Sequence, residues 1–292
     1  MRLFALPLTK AIPGKHESLV YYLAHLPPKP KTRAETRTGR LVKLATNQAT
    51  ETWSRWSKAP ESSWKFKVYS LGMKAQRQLD FEELALKSID PALGPRITSS
   101  GEGAGVVKAV RDGKPVSVRI PIIHPPSFRS LTSEPPLANL RKYASHRVPK
   151  HKKLFYTYIF AAPFTAPFML IPVIPNIPFF FCVWRAWSNY RAYKAADYLL
   201  TLLSSNTLVP TASETLESIY RHTPYKVTPH PPQSSADRDS NPSRLSQATS
   251  PSISVLLRED EVPQILDAFG LPKESGPDLL RAIKQARMRI HT

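Results

Sequence analysis

The chain has 292 residues, with 41 Lys or Arg against 22 Asp or Glu and a formal net charge of +19. This length allows one large domain or two small ones, and the charge suggests an anionic surface nearby, either lipid headgroups or nucleic acid. A single cysteine, Cys182, excludes an intrachain disulfide and a cysteine metal cluster and fits a reducing compartment. No secretory signal is expected, because the first apolar patch, LFALPL, is too short.

The basic charge is concentrated ahead of the middle of the chain. Residues 1–153 hold 28 basic and 11 acidic side chains, a net +17, which leaves only +2 for residues 154–292. We therefore expect a basic N-terminal region facing an anionic partner.

The first ninety residues predict a mixture of strand and helix. MRLFALPL is typical of a strand, ESLVYYLAHL predicts a short helix that Pro27 and Pro28 end, and residues 29–46 predict a basic loop. TWSRWSKAP predicts one or two amphipathic helical turns, and a long helix capped at Ser62 or Ser63 then reaches about Asp90. Its apolar stripe comprises Trp64, Val68, Leu71, Ala75, Leu79, Leu86 and Ile89.

Asp112-Gly113 is the strongest turn signal in the chain. It lies between two runs of alternating valines, which predicts a β-hairpin at residues 105–121. The preceding GEGAG lacks the Gly-Lys-Ser/Thr of a phosphate-binding loop and is interpreted as a turn. A proline-rich loop is expected at residues 121–136.

Leu154 to Trp184 contains no Asp, Glu, Lys, Arg or His. These 31 residues exceed the roughly 20 that a helix needs to cross a bilayer. The prolines at 172, 175 and 178 would leave carbonyls without partners in mid-span, so they predict the bend of a membrane helical hairpin or re-entrant loop. A single kinked span and a buried, proline-broken segment of a globular domain are the alternatives.

Polar groups in or beside an apolar hairpin are the first candidates for function. Asn176 lies near the start of the second arm, and Arg185 follows so closely that it must snorkel, pair or lie at an interface. Asp197 is three turns further on, too far for a direct pair. An interfacial aromatic belt is predicted from Trp184, Trp187, Tyr190, Tyr193 and Tyr198, with packing against the rest of the protein as the alternative.

Basic residues flank the uncharged run on both sides, which favours a hairpin whose two ends face the matrix-like side. The flanking set is Arg141, Lys142, Arg147, Lys150, Lys152 and Lys153 before the run, and Arg185, Arg191 and Lys194 after it.

The remainder of the chain predicts short helices and a linker. Thr211 and Glu214 suggest a capping box for a helix to about His222, and residues 227–251 have the composition of a disordered linker. DEVPQILDAFG predicts a helix that stops at Gly270, and a second begins at Pro277 with an apolar face. Nothing in their spacing favours DNA readout over ordinary packing.

These elements predict a mainly helical α+β protein. It is expected to have a soluble N-terminal region with a small β-hairpin, a proline-bent membrane helical hairpin, amphipathic helices and a short C-terminal helical tail. The expected divisions are a basic matrix-facing region (1–153), a membrane hairpin with an interfacial helix (154–203), a short helix (204–226), a linker (227–251) and a helical pair (252–292).

Several stretches resemble the fungal mitochondrial K+/H+ exchange-related proteins. They are MRLFALPLT, LKSI at residues 86–89, LIPVIPNIPFFFCVWRAWSNYRAYKAADYLLTLL and the tail LLRAIKQARMRI. The resemblance implies a mitochondrial inner-membrane protein linked to potassium/proton exchange and supplies no catalytic residues. Asn189 follows Ser188 where a histidine is expected from the family, which puts a proton role for that position in doubt.

Two hypotheses of function follow from these observations. Residues 154–184 carry no Asp, Glu, Lys, Arg or His, and no internal repeat is detectable. An accessory or regulatory component, as a subunit of a homo- or hetero-oligomer, is therefore favoured over a stand-alone exchanger. The alternative is a membrane-attached factor whose basic region binds RNA or the mitochondrial ribosome. No enzyme, metal or cofactor spacing is present in the sequence, and anionic lipid is the expected partner.

Overall fold

The computed structural model describes residues 1–11, 17–26, 37–77, 79–95, 108–111, 114–165, 177–221 and 255–290. The chain divides into two compact units, each assembled from segments that are distant in sequence. Unit 1 comprises Met1–His25, Ile97–Tyr143 and Thr201–Thr292, and unit 2 comprises Leu26–Arg96 and Ala144–Leu200. The fold is mainly helical α+β, as predicted, but it also contains a four-stranded sheet that was not expected. The division into five sequence ranges stays a prediction.

Unit 1 contains a four-stranded mixed sheet. The strands of the described chain are β1 (Arg2–Pro7), β2 (Val20–His25), β3 (Lys108–Arg111), β4 (Lys114–Ser117), β5 (Ile120–His124) and β6 (Leu208–Ala212). The sheet order is β2-β1-β5-β6, with β1 antiparallel to β2 and parallel to β5, and β5 parallel to β6. The strand predicted at the N-terminus is confirmed, and its unbroken apolar run suits a strand that is buried on both faces.

The segment predicted as a helix after residue 17 is instead strand β2, so that prediction was wrong. Val20, Tyr21 and Tyr22 are β-branched or aromatic residues that favour a pleated surface, and all three are buried. Tyr22 also donates its hydroxyl to Asn139 Oδ1 at 2.7 Å. Pairing along all six residues of β1 outweighs the local helical pattern.

The predicted hairpin is confirmed by the antiparallel pairing of β3 and β4, from Lys108 opposite Ser117 to Arg111 opposite Lys114. The Asp112-Gly113 turn and the GEGAG segment lie outside the described residues. The proline-rich loop expected at 121–136 is replaced in part by β5 and a short helix, because β5 pairs on both sides within the sheet.

The described helices are α1 (Arg37–Ser57), α2 (Trp64–Arg77), α3 (Phe81–Lys87), α4 (Phe128–Thr132), α5 (Pro136–Thr165), α6 (Ile177–Ser204), α7 (Glu214–Arg221), α8 (Val262–Phe269) and α9 (Ser275–Ile290). The C-terminal pair is confirmed. Gly270 ends α8 in the left-handed conformation, at φ 60°, and α9 begins two residues before Pro277.

The helices of the N-terminal half differ from the prediction in two ways. α1 starts at Arg37, within the expected basic loop, and the expected long helix is broken into α2 and α3. The break occurs because the Asp80 side chain accepts the amide hydrogen of Glu82 at 3.3 Å and caps a new helix. The apolar stripe is not continuous core, since Trp64 is 45% and Leu71 56% exposed.

The capping box predicted for the short helix at residue 211 was also wrong. Thr211 belongs to β6, and Ser213 caps α7 by accepting the amide hydrogen of Leu216 at 3.3 Å. Sheet pairing of β6 with β5 places the cap two residues later than the sequence pattern indicated. The linker predicted at 227–251 lies outside the described residues.

The uncharged run is shared between two helices. Residues 154–165 end α5, residues 177–184 begin α6, and residues 166–176 lie outside the described part of the chain. Among the described residues, no helix combines the length and the apolar character that a bilayer crossing requires. These helices therefore do not support the predicted membrane hairpin as a structure that crosses the bilayer.

Candidate functional site

α5 and α6 contact each other within unit 2 through aromatic side chains, and they run in opposite directions there. Phe155 packs on Tyr190 with ring centroids 5.4 Å apart, and Tyr158 meets Phe181 edge to face at 6.2 Å. The contacts advance from residue 155 to 158 along α5 while they go back from 190 to 181 along α6, so the two helices are antiparallel. The two arms of the uncharged run therefore meet where Tyr158 contacts Phe181.

A cluster of buried polar side chains joins α3 to α6. The Glu83 carboxylate on α3 accepts hydrogen bonds from Arg185 Nη1 at 3.1 Å and 3.2 Å, one to each oxygen. Ser188 Oγ donates a further hydrogen bond to Glu83. The side chain of Glu83 is 6% and that of Arg185 15% exposed, so the ion pair is largely withdrawn from water. Buried charges persist only when they are paired in this way.

The cluster continues to α5 through an amide. Asn189, which is fully buried, donates from Nδ2 to the carbonyl oxygen of Arg185 at 2.8 Å, and its Oδ1 lies 2.9 Å from His151 Nδ1. Burial lowers the pKa of His151 below its ordinary value, although the contact with Asn189 and the charge of Glu83 act in the opposite direction. His151 is therefore a neutral imidazole at physiological pH. We call Glu83, His151, Arg185, Ser188 and Asn189 the polar cluster.

A second buried cation lies one turn before the histidine on α5. Arg147 pairs with Glu82 through Nη2, and its Nη1 lies 3.7 Å from Asp80 Oδ2. Its side chain is 9% exposed. α3 and its cap thus supply acidic partners for arginines of both long helices.

A cleft of about 350 Å³ opens beside the polar cluster. Its polar and charged lining consists of Asp80, Glu83, Arg147, Lys150, His151 and Arg185. Its apolar lining consists of Ala75, Leu79, Leu154, Phe181 and Trp184. Because polar groups converge on it, this cleft is a candidate site for a small molecule or part of a larger one.

The ends of α5 and α6 that flank residues 166–176 expose large apolar side chains. The exposed set, which we call the apolar helix ends, is Tyr156, Ile159, Phe160 and Phe164 on α5 and Phe180, Phe181, Val183 and Trp187 on α6. Phe160 is 68% and Phe164 81% exposed. Large apolar side chains exposed in such number are candidates for contact with a membrane or another protein.

The structure places two of the three predicted polar candidates. Arg185 lies at the centre of the polar cluster and packs over the ring of Tyr158 at 5.7 Å. Asp197 is exposed on α6, three turns further along the helix. Asn176 lies outside the described residues.

The predicted aromatic belt has members in different environments. Trp187 is 53% exposed and stacks on Tyr190 with centroids 5.8 Å apart, which suits an interfacial position. Trp184 and Tyr193 are half-buried beside the cations Arg185 and Lys194, at 5.6 Å and 5.3 Å. Tyr198 instead packs inside unit 2, where its hydroxyl donates to the carbonyl of Pro95 at 3.0 Å.

Sequence reasoning missed Glu83 and His151. A charge such as Arg185 beside an apolar run needs an acidic partner, and only neighbours on the same helix were considered. The partner is 102 residues away on α3. His151 stood among lysines in a basic segment, and no spacing within the sequence distinguished it from a solvated residue.

Comparison with known proteins agrees with the resemblance described above. Residues 2–203 match the family described as mitochondrial K+-H+ exchange-related. This match covers more than half of the chain and every residue of the polar cluster on α3, α5 and α6, so the chain belongs to that family. A role related to mitochondrial potassium/proton exchange follows from the family's description.

Two yeast proteins are similar to this chain. An uncharacterized protein of Schizosaccharomyces pombe is 32% identical over 218 residues, covering 74% of this chain and 81% of the relative. An uncharacterized protein of Saccharomyces cerevisiae is 34% identical over 85 residues, covering 29% of this chain and about a quarter, 26%, of the relative's length. No solved structure matches.

Proposed function

We propose that this chain is an accessory or regulatory component of mitochondrial potassium/proton exchange, held on the inner membrane by the apolar helix ends. Membrane attachment is proposed because Phe160 and Phe164 near the end of α5, and Phe180 and Trp187 near the start of α6, are exposed. Placing such side chains in hydrocarbon is favourable by about 25 cal/mol for each Å² removed from water.

The lengths of the apolar helix ends suit one leaflet. Residues 155–165 of α5 and 177–187 of α6 each rise about 15 Å, half of the hydrocarbon thickness of about 30 Å. The chain between them, residues 166–176, has no charged side chain. A hairpin that enters one leaflet and returns, rather than a crossing, is the arrangement we propose.

Basic side chains lie where such a hairpin would meet the headgroups. Lys150, Lys152 and Lys153 on α5 and Arg191 and Lys194 on α6 are exposed, and all lie on the side of the apolar ends away from residues 166–176. Each basic side chain near an anionic surface adds about 1 kcal/mol of attraction. Apolar insertion combined with basic flanks is the usual form of attachment to one face of a membrane.

The positions of the charged side chains and histidines support the accessory role. A cation/proton exchanger needs an ionisable group that protons and cations compete for within the membrane. The uncharged run contains no Asp, Glu, Lys, Arg or His, and the buried carboxylate of Glu83 is occupied by Arg185 and Ser188. An exchange function that needs this chain would then require another protein or another copy to supply the ion path.

Membrane attachment is tested by flotation of the purified full chain with liposomes that contain anionic lipid. The variant Phe160→Ser/Phe164→Ser should lose most of the bound fraction. Leu71→Ser/Met288→Ser is the matched control, because it removes two apolar side chains that are 56% and 61% exposed elsewhere. Equal losses in both variants would contradict the assignment of the apolar helix ends.

The accessory role is tested by reconstitution. Purified full chain alone in potassium-loaded liposomes should leave proton flux at the level of empty vesicles, whereas mitochondria lacking the protein should show reduced exchange. Potassium/proton exchange by the purified chain unaided would overturn the proposal.

Carbonate extraction with protease protection of tags at both ends would locate the chain. Release into the soluble fraction would contradict inner-membrane attachment.

A further inference from the structure

The end of α1 and the whole of α2 form a helical hairpin that aromatic contacts hold together. Trp53 on α1 packs on Tyr69 of α2, with ring centroids 5.1 Å apart. The Trp53 ring also lies so close to Gly72 that a Cβ at that position would overlap it. Trp56 meets Trp64 edge to face at 5.6 Å across the turn between the helices. These contacts fix the two helices side by side and leave the outer face of α2 to the solvent.

The outer face of α2 alternates cations with large apolar side chains. Trp64, Lys67, Leu71 and Lys74 follow one another at spacings of three, four and three residues, so they lie on one face of the helix. All four are exposed, Trp64 at 45% and Leu71 at 56%. Lys65 is exposed beside them, with Nζ 5.9 Å from the centroid of the Trp64 ring. We call these five residues the aromatic-basic face.

The hairpin has an excess of positive charge. Residues 50–76 contain five basic and two acidic side chains, and all seven are exposed. None of the five basic side chains forms an ion pair within the described part of the chain. They are Arg55, Lys58, Lys65, Lys67 and Lys74. Cations grouped in this way on one exposed surface attract a polyanion.

The aromatic-basic face differs from the apolar helix ends in how charge is arranged. Phe160 and Phe164 lie in a segment without charged side chains, so they can enter hydrocarbon together. On α2, Lys67 lies between Trp64 and Leu71 on the same face, and inserting that face in a membrane would carry an ammonium group into hydrocarbon. Cations interleaved with exposed rings instead suit a polyanion that has flat apolar surfaces of its own, as the bases of a nucleic acid single strand are.

We propose that the aromatic-basic face of α2 binds single-stranded RNA. A base stacks on the exposed indole of Trp64, Lys65 contacts the phosphate of the same nucleotide, and Lys67 and Lys74 follow the backbone along the helix. RNA is the nucleic acid that commonly presents unpaired bases, whereas a duplex keeps its bases stacked inside. This inference goes beyond the proposed accessory role and does not rest on it.

The test is fluorescence anisotropy of a labelled oligouridylate of about 20 nucleotides, titrated with the purified full chain. Trp64→Ala should weaken RNA binding at least about fivefold, because the stacked base is lost. The same variant should leave the affinity for duplex DNA of equal length unchanged, because paired bases cannot stack on the ring. Equal losses for the two nucleic acids, or no loss for RNA, would overturn the inference.

The lysines are tested through the salt dependence of RNA binding. Lys67→Ala/Lys74→Ala should weaken binding and make the slope of log affinity against log salt concentration less negative by about 1.4, since each phosphate contact on a single strand contributes about 0.7. An unchanged slope would refute the phosphate contacts. Both lysines are exposed, so this variant keeps the test decisive even if Trp64→Ala, which removes the contact with Trp56, fails to fold.

Two control variants remove similar side chains elsewhere. Lys10→Ala/Lys273→Ala removes two exposed lysines of unit 1, and Trp187→Ala removes a tryptophan of α6 that is 53% exposed. Neither should change the affinity for RNA. If the control lysines mattered as much as Lys67 and Lys74, the net charge of the chain rather than the aromatic-basic face would explain RNA binding, and the inference would be wrong.

Flotation with anionic liposomes distinguishes RNA from a membrane as the partner of this face. Lys67→Ala/Lys74→Ala should float like the wild type, whereas Phe160→Ser/Phe164→Ser should lose flotation and keep its affinity for RNA. A lysine variant that lost flotation and kept its affinity for RNA would assign the face to the membrane and overturn the inference. Failure of the wild type to float would refute the proposed attachment and leave the RNA titration unaffected.

Discussion

Replacing Glu83 by Gln tests whether the buried ion pair with Arg185 holds unit 2 together. The substitution keeps the shape of the side chain but removes its charge, so the guanidinium of Arg185, 15% exposed, is left without its charge partner. Leaving one member of a buried pair uncompensated costs about 3–5 kcal/mol. We expect about 3 kcal/mol, at the low end, because the amide oxygen still accepts one hydrogen bond.

The coupling energy between Glu83 and Arg185 distinguishes the loss of their charge pairing from a general disruption of packing. Arg185→Met alone should cost a similar amount, since it leaves the Glu83 carboxylate buried without a cation. The double variant should be less destabilised than the sum of the two by at least about 2 kcal/mol, as expected for residues in direct contact. Asp197→Asn, at an exposed position of the same helix, is the control and should change stability by less than about 0.5 kcal/mol.

The measurement is urea-induced unfolding of the purified full chain, followed by tryptophan fluorescence and far-ultraviolet circular dichroism. Trp184 reports directly, because the guanidinium carbon of Arg185 lies 5.6 Å from its ring centroid. The assignment of the pair as a structural element of the cluster would be refuted if the stability losses of the two single variants added up to the loss of the double variant. It would also be refuted if Glu83→Gln were as stable as Asp197→Asn.

Three further predictions concern stability at particular residues. Burial holds the pKa of His151 below 6.5, so the unfolded chain binds more protons than the folded chain below that pH, and the free energy of unfolding should fall as the pH drops below about 6.5. Urea titrations repeated across pH measure this dependence. The His151→Gln variant should reduce the slope, whereas His146→Gln, at an exposed position, should not. Gly94→Ala would place a Cβ 2.2 Å from the Tyr198 hydroxyl and should lower the free energy of unfolding by about 1–3 kcal/mol, with a smaller loss in the Tyr198→Phe background; equal losses in both would contradict the steric reading. Gly270→Ala should lower the free energy of unfolding by about 1–2 kcal/mol, because φ at this position is 60°. The space around the added Cβ is open, so the backbone conformation alone should cause the loss. A melting temperature equal to that of the wild type would argue against a left-handed cap.

Local signals in the sequence predicted the elements whose structure depends on neighbours in the chain. Gly270 ends a helix because only a residue without a Cβ adopts the left-handed conformation easily, and this was apparent from its position after an apolar periodic run. The β3–β4 hairpin followed in the same way from its turn and alternating valines. Where a competing partner lay elsewhere in the chain, the prediction was wrong: β2 is a strand because β1 offers six residues of pairing. One local signal was also missed, since the Asp80 carboxylate caps α3 and so divides the expected long helix.

The candidate site was predictable only in part. Arg185 was identified because a charge beside an apolar run is costly, and that reasoning uses composition alone. Glu83 and His151 were not identified, since their roles depend on which helices are adjacent. The histidine that the sequence lacked after Ser188 has a counterpart in space, because His151 of α5 contacts Asn189 at that very position.

The sequence by itself determined the family, the excess of basic charge, the uncharged run and the flanking cations, because these depend on residue identity and order. Only the tertiary structure decided which buried charges meet and which apolar side chains stay exposed. The physical reason is that pairing and burial are set by contacts between residues distant in the chain, such as the 102 residues that separate Glu83 from Arg185.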